Sequence, residues 1–305
     1  PVARGVSLSP DGELVAFLDS DDEWPPHHLA LMSAFFDAFP GESLVSSEWW
    51  EILGPGRRLQ HFEVEMAEWY PQTAARIGSK RFAAAAPEAD PLLRFFATRE
   101  PAGAWARAAL APDGFRAVRR YRGELFPLWR WGWLTALQPT VLRRELAEKA
   151  GLFDESYRVA SDFPWLAKVC RLAPLNHLSV PGCYKHELAC GGARPTESHL
   201  VTGTHAVRFH EDVLRATLEL FADPQLGDPE LDALIGFRHY LAGHWALIQG
   251  QRRRALEHLE LAVRTYRGAD VEAALWLARL PPDAVAGHVY RASLAAARFP
   301  NRVRT

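Results

Sequence analysis

The sequence predicts an α/β fold followed by an all-α region, and three observations support this class. Residues 14–18 are all apolar and run directly into an acidic segment, as at the end of a buried strand in a parallel sheet. Strand-like and helix-like segments then follow one another to about residue 180, which favours a mixed sheet flanked by helices. Helical periodicity takes over after about residue 198, so we expect domains at residues 1–198 and 199–305.

The first half of the α/β region is expected to contain three strands and one helix. We place the strands at residues 14–18, 43–47 and 58–65. Pro25 and Pro26 open the helix, which extends to about residue 39, because proline is tolerated in a first turn. Residues 71–123 are rich in alanine, proline and arginine, and they predict only irregular helices and loops.

The second half of this region is expected to hold two helices between two short strands. A strand at 140–142 leads into a helix at 144–149, which Gly151 ends. Asp162 is expected to cap a second helix, which runs to about residue 172. Residues 175–180 are expected to form the final strand, and a linker at about 190–203 separates the two domains.

The composition narrows the classes of protein to which this chain can belong. Its 305 residues are 48% hydrophobic and carry a net charge of -2, so we expect no nucleic-acid partner. Three cysteines are too few and odd in number for a disulfide framework, which favours a reducing compartment such as the cytoplasm. No apolar stretch is long enough to predict a transmembrane helix, but a peripheral position at the inner face of the membrane needs none.

The acidic segment Asp19-Ser20-Asp21-Asp22 carries the clearest chemical signal. Carboxylates this close repel one another unless a cation joins them, and hard oxygen ligands suit Mg²⁺ or Mn²⁺. An EF-hand loop is excluded, because Trp24 and Ala30 stand where that loop requires glycine and glutamate. A phosphatase-type aspartate motif is not favoured, because Glu23 replaces the usual threonine or valine. A solvated turn after a strand is the simple alternative.

This segment resembles the metal-binding segment of family 2 glycosyltransferases, which have the GT-A fold. The residues that carry the resemblance are Ala3-Arg4-Gly5, the run from Gly12 to Asp22, and then Trp24, Pro26 and Leu29. The resemblance implies that Asp19 and Asp21 bind Mn²⁺ or Mg²⁺ against the diphosphate of a nucleotide-sugar. It also implies that Asp22 is a supporting acid at the same site.

A second resemblance covers the stretch before and through that family's catalytic acid. The residues that carry it are Val141-Leu142-Arg143-Arg144, Ala150-Gly151-Leu152-Phe153-Asp154-Glu155, Ser161-Asp162-Phe163 and Leu166. It implies that Asp162 is the general base. Three departures are visible, because Ala150 replaces a glycine, Leu152 is inserted, and Ser161 replaces a glutamate. The alternative is that Asp162 only caps its helix.

Two weaker resemblances suggest further site residues. Tyr184-Lys185-His186-Glu187 resembles a Tyr-Arg-x-His segment and implies that His186 completes the metal coordination, although this histidine stands one residue early. A structural or surface histidine is the alternative. Trp131 and Trp133 lie where the family forms its acceptor site, and aromatic faces stack on sugars as readily as they fill cores.

Together these resemblances imply an inverting glycosyltransferase that moves a sugar from a nucleotide-diphosphate sugar to a saccharide, lipid-linked or protein acceptor. The family's first strand and its nucleoside-binding loop would precede Pro1, so we expect an incomplete GT-A (Rossmann-like) sheet and an inactive fragment. Two alternatives stay open. One is an inactive transferase half that acts as a scaffold through its helical tail, and the other is a nucleotidyltransferase of related architecture.

The helical tail has one recognisable spacing of small residues, Gly243, Gly250, Ala255 and Ala262. Such spacing lets two antiparallel helices pack closely, as in a tetratricopeptide hairpin that binds a protein partner. An ordinary helical hairpin explains it equally well.

Overall fold

The computed structural model describes residues 12–52, 58–60, 69–82, 90–110, 118–186, 204–222 and 227–280. The chain divides into two compact units, of which the first comprises Pro1–Tyr157 and Ser161–Thr196. The second comprises Arg158–Ala160 and Glu197–Thr305. The predicted linker at 190–203 and the motif residues Ala3, Arg4 and Gly5 lie outside the described ranges.

The described part of the first unit contains a mixed sheet of eight strands. The strands are β1 (Leu14–Ala16), β2 (Asp22–Glu23), β3 (Leu44–Ile52), β4 (Arg58–Gln60), β5 (Thr98–Pro101), β6 (Arg119–Gly123), β7 (Thr140–Arg143) and β8 (Leu175–His186). Their order is β1-β7-β3-β8-β6-β5, with β2 paired to β8 and β4 paired to β3. Strands β3 and β8 run parallel, and the other pairs are antiparallel.

Strand β1 differs from the buried strand of a parallel sheet that its apolar run predicts. Within the described sheet it lies at one end of the order and pairs antiparallel with β7, so this prediction is wrong. Only Val15 of the strand is buried, and Leu18 is 46% exposed. The run is apolar for another reason: Phe17 packs beyond the strand against Phe153 and Trp165.

Five α-helices accompany the sheet in the described part of this unit. They are α1 (His28–Ala38), α2 (Tyr70–Arg76), α3 (Ala104–Leu110), α4 (Arg144–Ala150) and α5 (Asp162–Leu172). One core cluster joins α1 and α3 to the central strands, with Leu31, Phe35, Val141, Leu178 and Leu110 among its buried members. Burial of such side chains stabilises the layer by roughly 2 kcal/mol each.

Several local predictions are confirmed around the second resemblance. Helix α4 ends where Gly151 adopts a φ of 79°, a conformation that glycine tolerates best. Helix α5 covers the predicted range, but its N-cap is Ser161 and Asp162 is its first helical residue. The prediction that Asp162 occupies the cap position is therefore wrong.

The irregular region predicted at residues 71–123 instead contributes two strands, β5 and β6. Strand β6 carries Arg120, whose side chain is buried although arginine seldom is. Its guanidinium donates to Glu42, Glu100 and Asn176 at 3.0, 2.6 and 2.9 Å. These partners are distant in the sequence, and for that reason local pattern did not reveal the strand.

The second unit is helical wherever it is described as regular structure. Its helices are α6 (Ala206–Phe221), α7 (Pro229–Ile248), α8 (Arg252–Thr265) and α9 (Ala269–Arg279). Helices α7 and α8 form a hairpin around Gly250, which has a φ of 73°. A Cβ at Gly243 would lie 2.8 Å from Leu259, so the small residue permits the close approach that its spacing predicts.

Within the described ranges, we find no helix with the length and apolar character needed to cross a membrane.

Candidate functional site

The predicted acidic residues lie in the turn that joins β1 to β2. The backbone N–H of Asp22 donates to the carbonyl of Asp19 over 3.1 Å, which closes the turn. Strand β2 then pairs with β8, so that Asp22 faces Lys185. The turn thus carries its acids at the end of β1, next to the last residues of β8.

Asp19 is fixed by a residue that sequence reasoning missed. In the antiparallel pairing, Leu14 lies opposite Arg143 and Ala16 opposite Val141. Gln138 lies in the turn two residues before β7 begins. The side-chain amide of Gln138 donates to the Oδ2 of Asp19. Sequence reasoning missed Gln138 because glutamine has no distinctive local pattern.

Asp22 is a partly buried acid with charged neighbours. Burial raises its pKa to about 6, and the charges of Asp19 and Asp21 add to the rise. Lys185 and a hydrogen bond from the backbone N–H of His186 act in the opposite direction. The pKa of the buried Cys183 thiol is also raised, chiefly by burial and then by the charge of Asp22. The acids therefore act on one another as neighbours.

His186 lies close to this turn, as the last residue of β8. Its backbone donates to Asp22, and its ring Nε2 lies 3.4 Å from an oxygen of Glu23. This contact is largely exposed, so it contributes little to stability. The role of His186 as a metal ligand stays a prediction.

The described residues form no closed metal cage at this turn. Among the residues that the structure describes, no three histidine, cysteine, aspartate or glutamate side chains form a group that could hold a metal ion. Mg²⁺ is commonly held by one or two carboxylates, while waters and substrate phosphates complete its coordination. Asp21 is exposed and Asp19 is partly buried, so the turn offers two carboxylates for such an arrangement.

Asp162 accepts a hydrogen bond from a tryptophan. The indole Nε1 of Trp133 lies 3.3 Å from the Oδ2 of Asp162, and the Trp133 ring packs 4.6 Å from that of Phe163. The hydroxyl of Tyr70 donates to the backbone carbonyl of Trp133, and Gly132 leaves room for the Tyr70 ring. These contacts place Trp133 as a support for Asp162.

The tryptophans Trp129, Trp131 and Trp133 differ in how deeply they are buried. Trp131 is 3% exposed and packs edge-on against Phe82 at 5.3 Å, while Trp129 is fully buried. A ring buried to this extent has no free face for a sugar, so in this structure Trp131 belongs to the core. Trp133 is only partly buried, and its acceptor-binding role stays a prediction.

Phe17, close to the acidic turn, packs against residues of the second motif. It stands two residues before Asp19, and its ring centroid lies 5.5 Å from that of Trp165 in the first turn of α5. The same ring lies 6.0 Å from that of Phe153, which belongs to the second motif. The two motifs, far apart in the chain, are therefore packed together at the end of β1.

The chain matches no family model, no curated protein and no solved structure in comparisons with known proteins.

Proposed function

We propose that this protein is a metal-dependent inverting glycosyltransferase, which moves a sugar from a nucleotide-diphosphate sugar to an acceptor hydroxyl. One observation carries the proposal, namely that Phe17, two residues before Asp19, packs against Trp165 in the first turn of α5, the helix that begins at Asp162. A turn with several acids suits a cation beside a diphosphate, and a separate acid suits proton transfer. The proposal includes the GT-A arrangement for the mixed sheet.

The proposed reaction is a single displacement. The acceptor oxygen bonds to the anomeric carbon while the bond between that carbon and the diphosphate oxygen breaks. The leaving nucleoside diphosphate takes the electron pair of the broken bond, and Asp162 takes the proton of the acceptor hydroxyl. Trp133 holds one oxygen of Asp162 through its indole N–H and so orients the carboxylate.

Asp19 and Asp21 are the residues that would hold Mn²⁺ or Mg²⁺. The cation, when bound, would supply positive charge against the leaving diphosphate, a contribution worth several kcal/mol in the transition state. Asp22 lies beside these residues as the supporting acid, and His186 is the proposed further ligand. A cytoplasmic location agrees with the free thiols of Cys170 and Cys183.

The proposal is tested in the full-length protein, by replacing each acid separately and measuring nucleoside diphosphate release from a panel of nucleotide-sugars with Mn²⁺. We expect Asp21→Asn to weaken metal-dependent binding of the nucleotide-sugar. Asp162→Asn should leave that binding intact and lower transfer by about 100-fold or more, since general base catalysis contributes about 10²–10⁴-fold. Asp37→Asn, at an exposed position on α1, is the matched control. Transfer that survives in both site variants would refute the assignment.

A further inference from the structure

Gln138 occupies a position that the proposed chemistry leaves unexplained. It is 6% exposed, it precedes β7, and its side chain is directed at Asp19 across the end of the β1–β7 pair. A buried amide in contact with a proposed metal ligand can do more than fill space, because every buried polar atom needs a partner.

The chemistry of the contact fixes the orientation of the amide. An ionised carboxylate accepts hydrogen bonds and donates none, so the nitrogen of the Gln138 side chain must face Asp19. The interaction therefore holds one oxygen of Asp19 by a neutral donor. The second oxygen of the same carboxylate is left for a cation, and no positive charge is added that would compete with it.

Gln138 is itself held from the other side. Its backbone carbonyl accepts a hydrogen bond of 2.8 Å from the indole Nε1 of Trp24. The Trp24 ring in turn stacks on His28 in the first turn of α1, with the ring centroids 4.9 Å apart. His28 is fully buried, so this support is anchored in the core. The position of the amide is thus defined by both β7 and α1.

We infer that Gln138 is a positioning residue that presents Asp19 to the divalent cation. This inference rests on the proposed function, because it takes Asp19 as a metal ligand. Partners of metal ligands commonly orient the ligating oxygen, and their loss weakens metal binding by about 10–100-fold. A residue that only filled the core would change stability equally with and without metal.

The test is a titration of the 305-residue chain with Mn²⁺ alone, in which electron paramagnetic resonance measures the free ion. Gln138→Leu removes the donor and should weaken Mn²⁺ binding by about 10-fold. Gln138→Met keeps the length of the side chain but also lacks the donor, and it should weaken Mn²⁺ binding to a similar extent. The control is Gln249→Leu, which removes an amide in the second unit and should leave the affinity unchanged.

The outcomes separate this inference from the proposed function. If the unaltered chain binds no Mn²⁺, both the metal site and the role of Gln138 are refuted. If it binds Mn²⁺ and Gln138→Leu binds equally well, the positioning role alone is refuted. Thermal unfolding with and without Mn²⁺ shows whether each variant folds. Should Gln138→Leu not fold, weaker binding by Gln138→Met supports the inference, and equal or tighter binding overturns it.

Discussion

At the residue scale, the proposed proton transfer depends on the contact between Trp133 and Asp162. The indole donor lies 3.3 Å from the carboxylate, and its ring is fixed against Phe163. Hydrogen bonds to charged groups contribute about 1.5–3 kcal/mol. A donor held by packing keeps the base in one orientation, which a mobile side chain would not.

Trp133→Phe is expected to separate orientation of the base from binding of the donor. The substitution keeps an aromatic ring against Phe163 but removes the N–H group. We expect kcat to fall by about 10-fold, as the loss of about 1.4 kcal/mol implies, while KM for the nucleotide-sugar stays unchanged. Steady-state measurements of nucleoside diphosphate release provide both values.

Trp276→Phe is the matched control for this variant, because Trp276 is 63% exposed on α9. It should leave both kinetic constants unchanged. An unaltered kcat in Trp133→Phe, or a change confined to KM, would contradict the supporting role of Trp133.

The residue scale also shows what the sequence could and could not predict. The acidic turn and the helix beginning at Asp162 were visible, because acids after an apolar run and at a helix start have local patterns. Gln138 had no such pattern. Its contact with Asp19 arises because β1 pairs with β7, a strand more than a hundred residues later in the chain. Trp133 was assigned to the acceptor, and its contact with Asp162 depends on packing of distant segments.

At the scale of elements, β8 illustrates why boundaries were harder to predict than element types. The strand was expected to end at residue 180, because Pro181 and Gly182 usually interrupt strands. It continues to His186, and its pairing with β3 shifts register beside Pro181. A Cβ at Gly182 would lie 1.7 Å from the Ser47 hydroxyl, so glycine is required there by close approach of β3.

The α7–α8 hairpin contains a histidine pair that makes its stability depend on pH. The Nδ1 atoms of His239 and His258 lie 3.0 Å apart, and His258 also contacts Glu211 of α6. Burial, and then the charge of His258, lower the pKa of His239 from 6.5 to about 4. Protonation of His239 would therefore place a charge on a partly buried ring beside another histidine.

This arrangement is expected to weaken the hairpin as the solution is acidified. Between about pH 6.5 and pH 4 the unfolded chain binds more protons at His239 than the folded chain does, so stability increases with pH in that window. His239→Gln should remove about 1–2 kcal/mol of this dependence, which is less than the full shift implies because the ring is partly exposed.

Thermal unfolding at pH 7.5, 6, 5 and 4.5 would measure the effect, with the exposed His205→Gln as control. The buried His28 and His177, whose pKa values burial lowers to about 4 and 3, give every variant a common background of the same sign. A pH dependence in His239→Gln equal to that of the unaltered chain would contradict this account of the pair.

At the scale of the whole molecule, the division into an α/β unit and a helical unit follows from patterning of apolar residues. The arrangement of the sheet does not, because pairing depends on contacts between segments that are distant in sequence. Arg120 in β6 donates hydrogen bonds to Glu42 and Asn176, and β1 joins the sheet by pairing with β7. An apolar run identifies a strand, but it does not identify its neighbours.

The central claim also belongs to the whole molecule, because it joins two motifs separated by more than a hundred residues into one site. Phe17 and Trp165 provide the packing that brings them together. Neither motif alone would perform the reaction, since one would bind the leaving group and the other would take the proton.

The most direct test is anomalous diffraction from crystals of the protein grown with Mn²⁺ and a nucleoside diphosphate. We expect an anomalous peak about 2.1 Å from a carboxylate oxygen of Asp19 or Asp21 and from the diphosphate. The carboxylate of Asp162 should face the same open space on the far side of the diphosphate. A peak remote from the acidic turn, or an Asp162 that faces a different surface from the bound nucleotide, would contradict the account.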